Sequence, residues 1–233
     1  MSGDFSYVNK VDAVGTNANK IAMWDGVKWN ALGDKTVDRQ VFAVVANGNT
    51  AYIGGNFQKV AGTIATKGVA KWDGKQWSAV GNAQFDRAIL AMATLGNDLY
   101  VGGIFTINGD EPMGRVAKWD GAKWTEMGNK GLDGTVTKMV SDGKNIYAVG
   151  KFIKAGDGTE LNRIGMWDGA KWNAVGDGVN GEVRDIFIDG NKIYVAGSFT
   201  AAGAGKKAKD VFYLAMWDGS KWSGFPEIKY VNI

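Results

Sequence analysis

The sequence predicts an all-β fold assembled from repeated antiparallel sheets, and three observations support that prediction. Glycine contributes 35 of the 233 residues and proline only 2, a composition that favours tight turns and close packing over helices. A block with two tryptophans recurs five times and contains all 10 tryptophans of the chain. Asn-Gly and Asp-Gly pairs stand between short apolar segments, which is the strongest short-range signal for a β-hairpin.

The tryptophan block is the first predicted hairpin. Its first copy reads Ile21-Ala-Met-Trp-Asp-Gly-Val-Lys-Trp-Asn-Ala-Leu-Gly33, with Asp25-Gly26 at the turn. The first tryptophans of the five copies are 47 to 50 residues apart, at positions 24, 72, 119, 167 and 217. We interpret the five aspartates of these blocks as turn residues and the tryptophans as packing groups between sheets.

A second hairpin block lies between consecutive tryptophan blocks and occurs four times. Its first copy runs from Val41 to Phe57, with Asn47-Gly48 at the turn, and the others cover 89–105, 136–152 and 183–199. One block of each kind makes a four-stranded sheet, whose strands we label a, b, c and d in chain order. Repeats of about 48 residues then predict a five-bladed β-propeller that occupies residues 1–233 as one domain.

The unequal numbers of the two blocks predict how the ring closes. The last sheet lacks a continuous a–b hairpin, so we expect its strand a from Ile228–Ile233 and its strand b from Phe5–Asn9. The N- and C-terminal strands would then pair within the last blade.

These motifs resemble those of β-propellers built from kelch-like and galactose-oxidase-like repeats. The likeness covers residues 5–225 and lies in Tyr52-Ile-Gly-Gly-Asn-Phe57, in the Trp-Asp-Gly block and in their counterparts. In blade number and repeat length the chain is similar to five-bladed lectins of the tachylectin-2 type. That resemblance implies carbohydrate binding through architecture alone, because no sugar-binding motif matches residue by residue.

Composition excludes several function classes. Without cysteine and histidine, the chain has no disulfides, no Ser-His or Cys-His catalysis and no Cys/His metal site, and we expect no cofactor. The net charge of +3 is spread along the chain, which argues against a nucleic-acid partner. No apolar stretch approaches the roughly 20 residues of a membrane span, and no secretory signal is visible. The compartment stays open between the cytoplasm and a mature secreted form.

Binding residues are expected where the d–a and b–c connections emerge, because loops on a rigid scaffold often carry function. Polar residues recur at the start of the d–a connections and at the end of the b–c connections. The candidate ligand-binding residues are Asp34, Asn82, Asn129, Asp177, Asn19, Arg115 and Asn162. A second polar pair follows in each d–a connection: Asp38-Arg39, Asp86-Arg87, Asp133-Gly134 and Asn180-Gly181. Such residues bind hydroxyl-rich ligands or form Asx turns that cap the local backbone.

Three functions fit these features. The first is a multivalent, lectin-like propeller without catalysis, whose weak, similar sites bind glycans or glycoconjugates with avidity. The alternative is a protein-interaction or surface-structural, adhesive propeller, which the unequal b–c connections favour. The third is a carboxylate-based glycoside hydrolase, for which the unrepeated acids are Asp110, Glu111, Asp157 and Glu160.

Overall fold

The structure, a computed structural model, describes residues 7–11, 14–17, 20–33, 37–203 and 209–225. Within these ranges the only regular elements are β-strands, which confirms the all-β prediction. The N-terminal part forms two antiparallel hairpins, β1 with β2 and β3 with β4. Their bounds are β1 Tyr7–Val11, β2 Val14–Asn17, β3 Ala22–Trp24 and β4 Trp29–Ala31.

Four four-stranded antiparallel sheets follow, numbered I to IV in chain order. Sheet I and the short hairpin within it comprise β5 Val41–Asn47, β6 Thr50–Gly55, β7 Lys59–Val60, β8 Ile64–Ala65, β9 Val69–Trp72 and β10 Trp77–Ala79. Sheet II and its hairpin comprise β11 Ile89–Leu95, β12 Asp98–Gly103, β13 Ile107–Asn108, β14 Glu111–Pro112, β15 Val116–Trp119 and β16 Trp124–Glu126.

Sheets III and IV repeat the same plan. Sheet III comprises β17 Val136–Ser141, β18 Ile146–Gly150, β19 Ile164–Trp167 and β20 Trp172–Ala174. Sheet IV and its hairpin comprise β21 Glu182–Asp189, β22 Lys192–Ser198, β23 Ala201–Ala202, β24 Lys209–Asp210, β25 Leu214–Trp217 and β26 Trp222–Gly224. In all four sheets the strands pair in the predicted order a, b, c, d.

The core lies between successive sheets rather than inside any one of them. One cluster of buried side chains joins β3–β4 to sheet I, and three more join I to II, II to III and III to IV. Sheets II and III therefore bury both of their faces by stacking against their sequence neighbours. This stacking explains why the b strands are apolar on both sides.

The second tryptophan of the blocks in sheets I to IV lies in these interfaces. Trp77, Trp124, Trp172 and Trp222 are all at most 7% exposed. Three of the four indole N–H groups donate to a carbonyl of the preceding repeat: Trp77 to Leu32 at 2.5 Å, Trp124 to Val80 at 3.0 Å, and Trp172 to Met127 at 3.0 Å. The prediction that the tryptophans pack between sheets is thus confirmed for these four, whereas Trp24 is 51% exposed.

Glycine in strand b makes room for the next sheet. A Cβ atom added to Gly102 would lie 2.6 Å from Cγ1 of Val136 and 2.9 Å from Sδ of Met139, both in strand a of sheet III. These distances are shorter than van der Waals contact, so a side chain at this position would push the two sheets apart.

The N-terminal strand β1 does not take the predicted place of strand b. It pairs with β2, and β2 contacts β4 as β8 contacts β10 and β24 contacts β26. The β1–β2 hairpin is therefore the b–c connection of its repeat. The sequence contains the signal, because Phe5 lies two positions before the first residue of β1, as Phe57 lies two positions before the first residue of β7. The prediction that Phe5–Asn9 forms strand b is therefore wrong for Tyr7–Asn9, and Phe5 and Ser6 lie outside the described residues.

The number of sheets and the closure are not confirmed. The described ranges hold four four-stranded sheets and the separate β3–β4 pair, with no closed sheet among them. The predicted C-terminal strand Ile228–Ile233 lies outside the described residues.

Candidate functional site

The d–a and b–c connections meet at one end of the sheets, which we call the loop face. Each sheet has a β-bridge between a residue of the preceding d–a connection and a residue of its own b–c connection. These bridges join Val37 to Val60, Phe85 to Asn108, Leu132 to Ala155 and Val179 to Ala202. The two kinds of connection are therefore held together by backbone pairing, which makes the loop face a firm platform.

Three predicted binding residues lie exposed on this face. Asn82, Asn129 and Asp177 occupy the same position in three successive d–a connections. Asp34 and Asn19, which were predicted with them, lie outside the described residues. The exposed series therefore offers similar polar groups at separate positions along the row of sheets.

The two predicted residues in b–c connections are half-buried and bonded to the backbone. Arg115 donates from Nη1 to the carbonyl oxygen of Leu132 at 2.9 Å. Asn162 donates from Nδ2 to the carbonyl oxygen of Asp177 at 3.1 Å, so the structure brings this pair of predicted residues together. Both side chains link a b–c connection to the neighbouring d–a connection.

The residue before each strand c has a left-handed backbone in all five repeats. Its φ lies between 65° and 87°, at Lys20, Gly68, Arg115, Arg163 and Tyr213. In sheets I to IV its carbonyl accepts the N–H of the glycine near the end of strand b, as Arg115 does from Gly103 at 3.1 Å. The polar residue predicted at this position therefore stands at a backbone junction that the fold itself requires.

The second Asx series caps the backbone. Asp38, Asp86, Asp133 and Asn180 each accept two N–H groups of a b–c connection through one side-chain oxygen, at 2.7–3.2 Å. Burial by itself raises the pKa of Asp86, but the N–H groups of Thr106 and Ile107 and the Thr106 hydroxyl outweigh it, so its pKa lies below the usual value. These oxygens serve the local structure, as the Asx-turn interpretation predicts.

The aspartates of the tryptophan blocks also act as turn residues, at the opposite end of the sheets. In each block Oδ1 accepts the N–H groups two and three residues later, at 2.8–2.9 Å. The acceptors are Asp25, Asp73, Asp120, Asp168 and Asp218, so this prediction is confirmed. Hydrogen bonds to the ionised carboxylate explain why all five have lowered pKa values.

A polar pocket of about 230 Å3 opens between sheets I and II on the loop face. We call it the junction pocket. Its charged lining residues are Arg39, Lys67, Asp86 and Arg87. The sequence contains the arginines in the second polar pair of the d–a connections, but it does not indicate that they and Lys67 meet at one pocket.

A second cavity, of about 210 Å3, lies beside sheet III and contains one predicted residue. Asn129 lines it together with Asp157, Lys171 and Trp172. The Thr159 N–H lowers the pKa of Asp157, with a further contribution from the Lys171 charge, so this acid stays ionised.

An apolar groove of about 730 Å3 runs between the β3–β4 hairpin and sheet I. Met23 and Trp24 line it from the hairpin, and Val44 from strand a of sheet I. Their side chains are 48%, 51% and 42% exposed.

The described ranges lack two further features. No group of three or more Asp or Glu residues there could hold a metal ion. No helix in those ranges is long and apolar enough to cross a membrane.

No protein-family model matches the chain, and no curated protein matches it by sequence. Several solved structures are similar in fold. The extracellular domain of the putative hybrid two-component system BT4673 from B. thetaiotaomicron has a TM-score of 0.53 at 10% identity, covering 90% of this chain and 31% of that one. A chain of a mitotic checkpoint complex has a TM-score of 0.51 at 14% identity, covering 88% and 56%. The WD40 β-propeller domain of Doa1 has a TM-score of 0.46 at 15% identity, covering 81% and 54%.

This chain therefore spans between 31% and 56% of the length of these structures. Identities this low show the fold alone. Together with the repeated antiparallel sheets, the likeness to the two structures with TM-scores of 0.53 and 0.51 shows an all-β fold of repeated four-stranded sheets.

Proposed function

We propose that the protein is a non-catalytic interaction propeller that docks a protein partner on its loop face. The observation that carries this proposal is the group of exposed isoleucines there: Ile104, Ile107 and Ile153, which are 36–41% exposed. They lie in the b–c connections of the adjacent sheets II and III, where exposed apolar side chains beside polar groups are typical of protein contacts. The Asx side chains of the second series, by contrast, already accept hydrogen bonds from backbone N–H groups.

A peptide selection tests this function. Random displayed peptides are selected on the wild-type protein, and the selected peptides are measured against the double variant Ile104→Glu/Ile107→Glu. We expect affinity to fall about tenfold, because the central contacts of an interface dominate its binding energy. The matched control is Val27→Glu, which places the same charge on a residue 84% exposed at the opposite end of the sheets. Peptides that bind the double variant as tightly as wild type contradict the proposal.

Carbohydrate binding is the second candidate function. It is supported by the exposed series Asn82, Asn129 and Asp177, and by the cavity that Asn129 lines. Glycan-array binding that is weakened by Asn129→Ala would favour it over protein docking. If the glycan array shows no signal and the selected peptides bind, protein docking is the function that remains.

We also propose that the ring contains five sheets, with β3 and β4 as strands c and d of the fifth. Val44 is 42% exposed, whereas its counterparts Met92, Met139 and Ile186 are at most 7% exposed. On sheet IV, Phe187 is 65% exposed, whereas its counterpart Ala93 is 4% exposed. Both differences are expected next to the place of the fifth a–b pair.

The C-terminal segment is the predicted source of strand a in this fifth sheet. If Ile228–Ile233 fills that place, deleting residues 226–233 should lower the melting temperature and raise the solvent access of Trp24. An unchanged melting temperature and an unchanged tryptophan emission would contradict that assignment.

A further inference from the structure

The junction pocket concentrates positive charge. Arg39, Lys67 and Arg87 line it, and Asp86 is the single acid among its lining residues. Three cations around a volume of about 230 Å3 repel one another, so an anion in the pocket would lower the electrostatic energy.

Local acids neutralise little of this charge. Within the described ranges Arg39 and Lys67 form no salt bridge, and Arg87 approaches Asp86 only to 3.9 Å with its side chain 65% exposed. Asp86 is itself engaged: it accepts N–H groups of Thr106 and Ile107 at 2.8 and 3.0 Å, and the Thr106 hydroxyl at 3.0 Å. The guanidinium and ammonium groups are therefore available to a ligand.

The fold does not need these cations. Arg39 and Arg87 occupy the same repeat position, at which the next two repeats have Gly134 and Gly181. Because sheets III and IV form without a cation there, the charges of the junction pocket are additional to the repeat architecture.

Exposed apolar groups border the same pocket. The Ile104 N–H donates to the carbonyl of Ala88 at 3.1 Å, and the Ile107 carbonyl accepts the N–H of Asp86 at 3.1 Å. Ala88 and Asp86 are pocket residues, so both isoleucines flank its sheet II side. The exposed isoleucines therefore lie next to the cation-lined pocket in the chain segments that border it.

We propose that the junction pocket and these isoleucines bind an acidic peptide segment of a protein partner. Carboxylates of the segment pair with Arg39, Lys67 and Arg87, and its apolar side chains pack on Ile104 and Ile107. Arginine suits this task because its planar guanidinium binds a carboxylate through two parallel hydrogen bonds. The inference rests on the proposed function and specifies the chemistry of its partner.

The test measures fluorescence anisotropy of a short labelled peptide that alternates glutamate with leucine. A peptide with lysine in place of every glutamate is the comparison, and citrate and inorganic phosphate are competitors. The variants are Arg39→Glu and Arg87→Glu. The matched control is Lys123→Glu, the same change of charge in the c–d turn of sheet II at the opposite end. Melting curves establish that each variant is folded.

We expect the wild type to bind the acidic peptide and not the basic one, with an affinity that falls as salt rises. Each arginine variant should bind the acidic peptide with an affinity at least about tenfold lower than that of the wild type. Lys123→Glu should bind it as tightly as the wild type does. Equal binding by the arginine variants, or equal weakening by Lys123→Glu, overturns the proposal. Citrate or phosphate that binds as tightly as the peptide also overturns it, since the site then takes a free anion.

This failure is distinguishable from failure of the proposed function. Peptides selected on the wild type are measured against both sets of variants. If they lose affinity for Ile104→Glu/Ile107→Glu but not for the arginine variants, protein docking stands and the acidic-segment proposal is overturned.

Discussion

Single carboxylates stabilise the turns of this protein because they accept backbone N–H groups that would otherwise be unpaired. The pKa of Asp25, Asp168 and Asp218 is about 2, and the largest cause is the N–H of the lysine three residues later. The stabilisation of one turn by its aspartate is small, but the same turn recurs in every tryptophan block. Each copy precedes a strand that packs between sheets.

These lowered pKa values predict acid sensitivity. The folded pKa of about 2 lies below the ordinary value of 3.8, so the ionised turns stabilise the fold above about pH 4. That contribution is lost as the pH falls from about 4 towards 2. The melting temperature of the triple variant Asp25→Asn/Asp168→Asn/Asp218→Asn should fall less over this pH range than that of the wild type. Circular dichroism measures both melting temperatures. Parallel curves for the two proteins would show that the turns contribute nothing.

The tryptophan indoles allow a second prediction at the residue scale. Trp124 donates to the carbonyl of Val80, whereas Trp222 Nε1 has no hydrogen-bond partner within the described ranges, although both rings are buried. Substitution by phenylalanine should therefore cost about 1 kcal/mol more at Trp124 than at Trp222, because only Trp124→Phe leaves a carbonyl unpaired. Urea unfolding of the two variants measures this difference in the free energy of unfolding. Equal losses at the two positions would mean that the smaller ring volume, and not the lost hydrogen bond, sets the cost.

Between elements, the second Asx series connects the d–a and b–c connections. Each side-chain oxygen binds two N–H groups of a neighbouring segment, and sheet IV uses Asn180 where the others use aspartate. The capping role therefore needs an acceptor oxygen and not a negative charge.

This equivalence predicts a pair of outcomes at Asp133, which binds the N–H groups of Ile153 and Lys154 at 2.7 and 3.0 Å. Asp133→Ala should destabilise the protein by about 1–2 kcal/mol, because both N–H groups lose their partner. Asp133→Asn should stay close to wild type, since it keeps the acceptor. Chemical denaturation of the two variants decides, and a large loss with asparagine would mean that the charge itself matters.

At the scale of the whole molecule, stability comes from stacking each sheet on the next. Such an arrangement is approximately a sum of repeat and interface terms, so its weakest places are where a sheet lacks a neighbour. Among the described residues, Val44 of sheet I and Phe187 of sheet IV are exposed, and Val44 lines the groove beside β3–β4.

Deletion of residues 1–10 tests how the N-terminus contributes. It removes most of β1, whose hairpin with β2 contacts β4. A hairpin of this kind contributes about 1–2 kcal/mol, so the melting temperature should fall by about 2–8 °C with unfolding still cooperative. Loss of cooperative unfolding in calorimetry would instead show that this segment holds the stacked sheets together.

Hairpins and turns could be predicted because their hydrogen bonds join residues a few positions apart. The Asp-Gly turns, the paired tryptophans and the a–b–c–d order were all correct. The place of β1 was misjudged, although the spacing from Phe5 contains the answer. The junction pocket was not predicted, since Arg39 and Arg87 come from different repeats and meet Lys67 only after sheets I and II stack.

The repeat, the strands of the two hairpin blocks and their turns follow from local sequence, because alternating apolar residues and glycine-containing turns act over a few positions. Stacking of the sheets settles which polar groups remain available: it pairs the second Asx series with backbone N–H groups and leaves three cations around one pocket. These features depend on residues that are distant along the chain. Contacts between neighbouring sheets join residues that are nearly fifty positions apart in the chain. These residues come together only when the sheets stack.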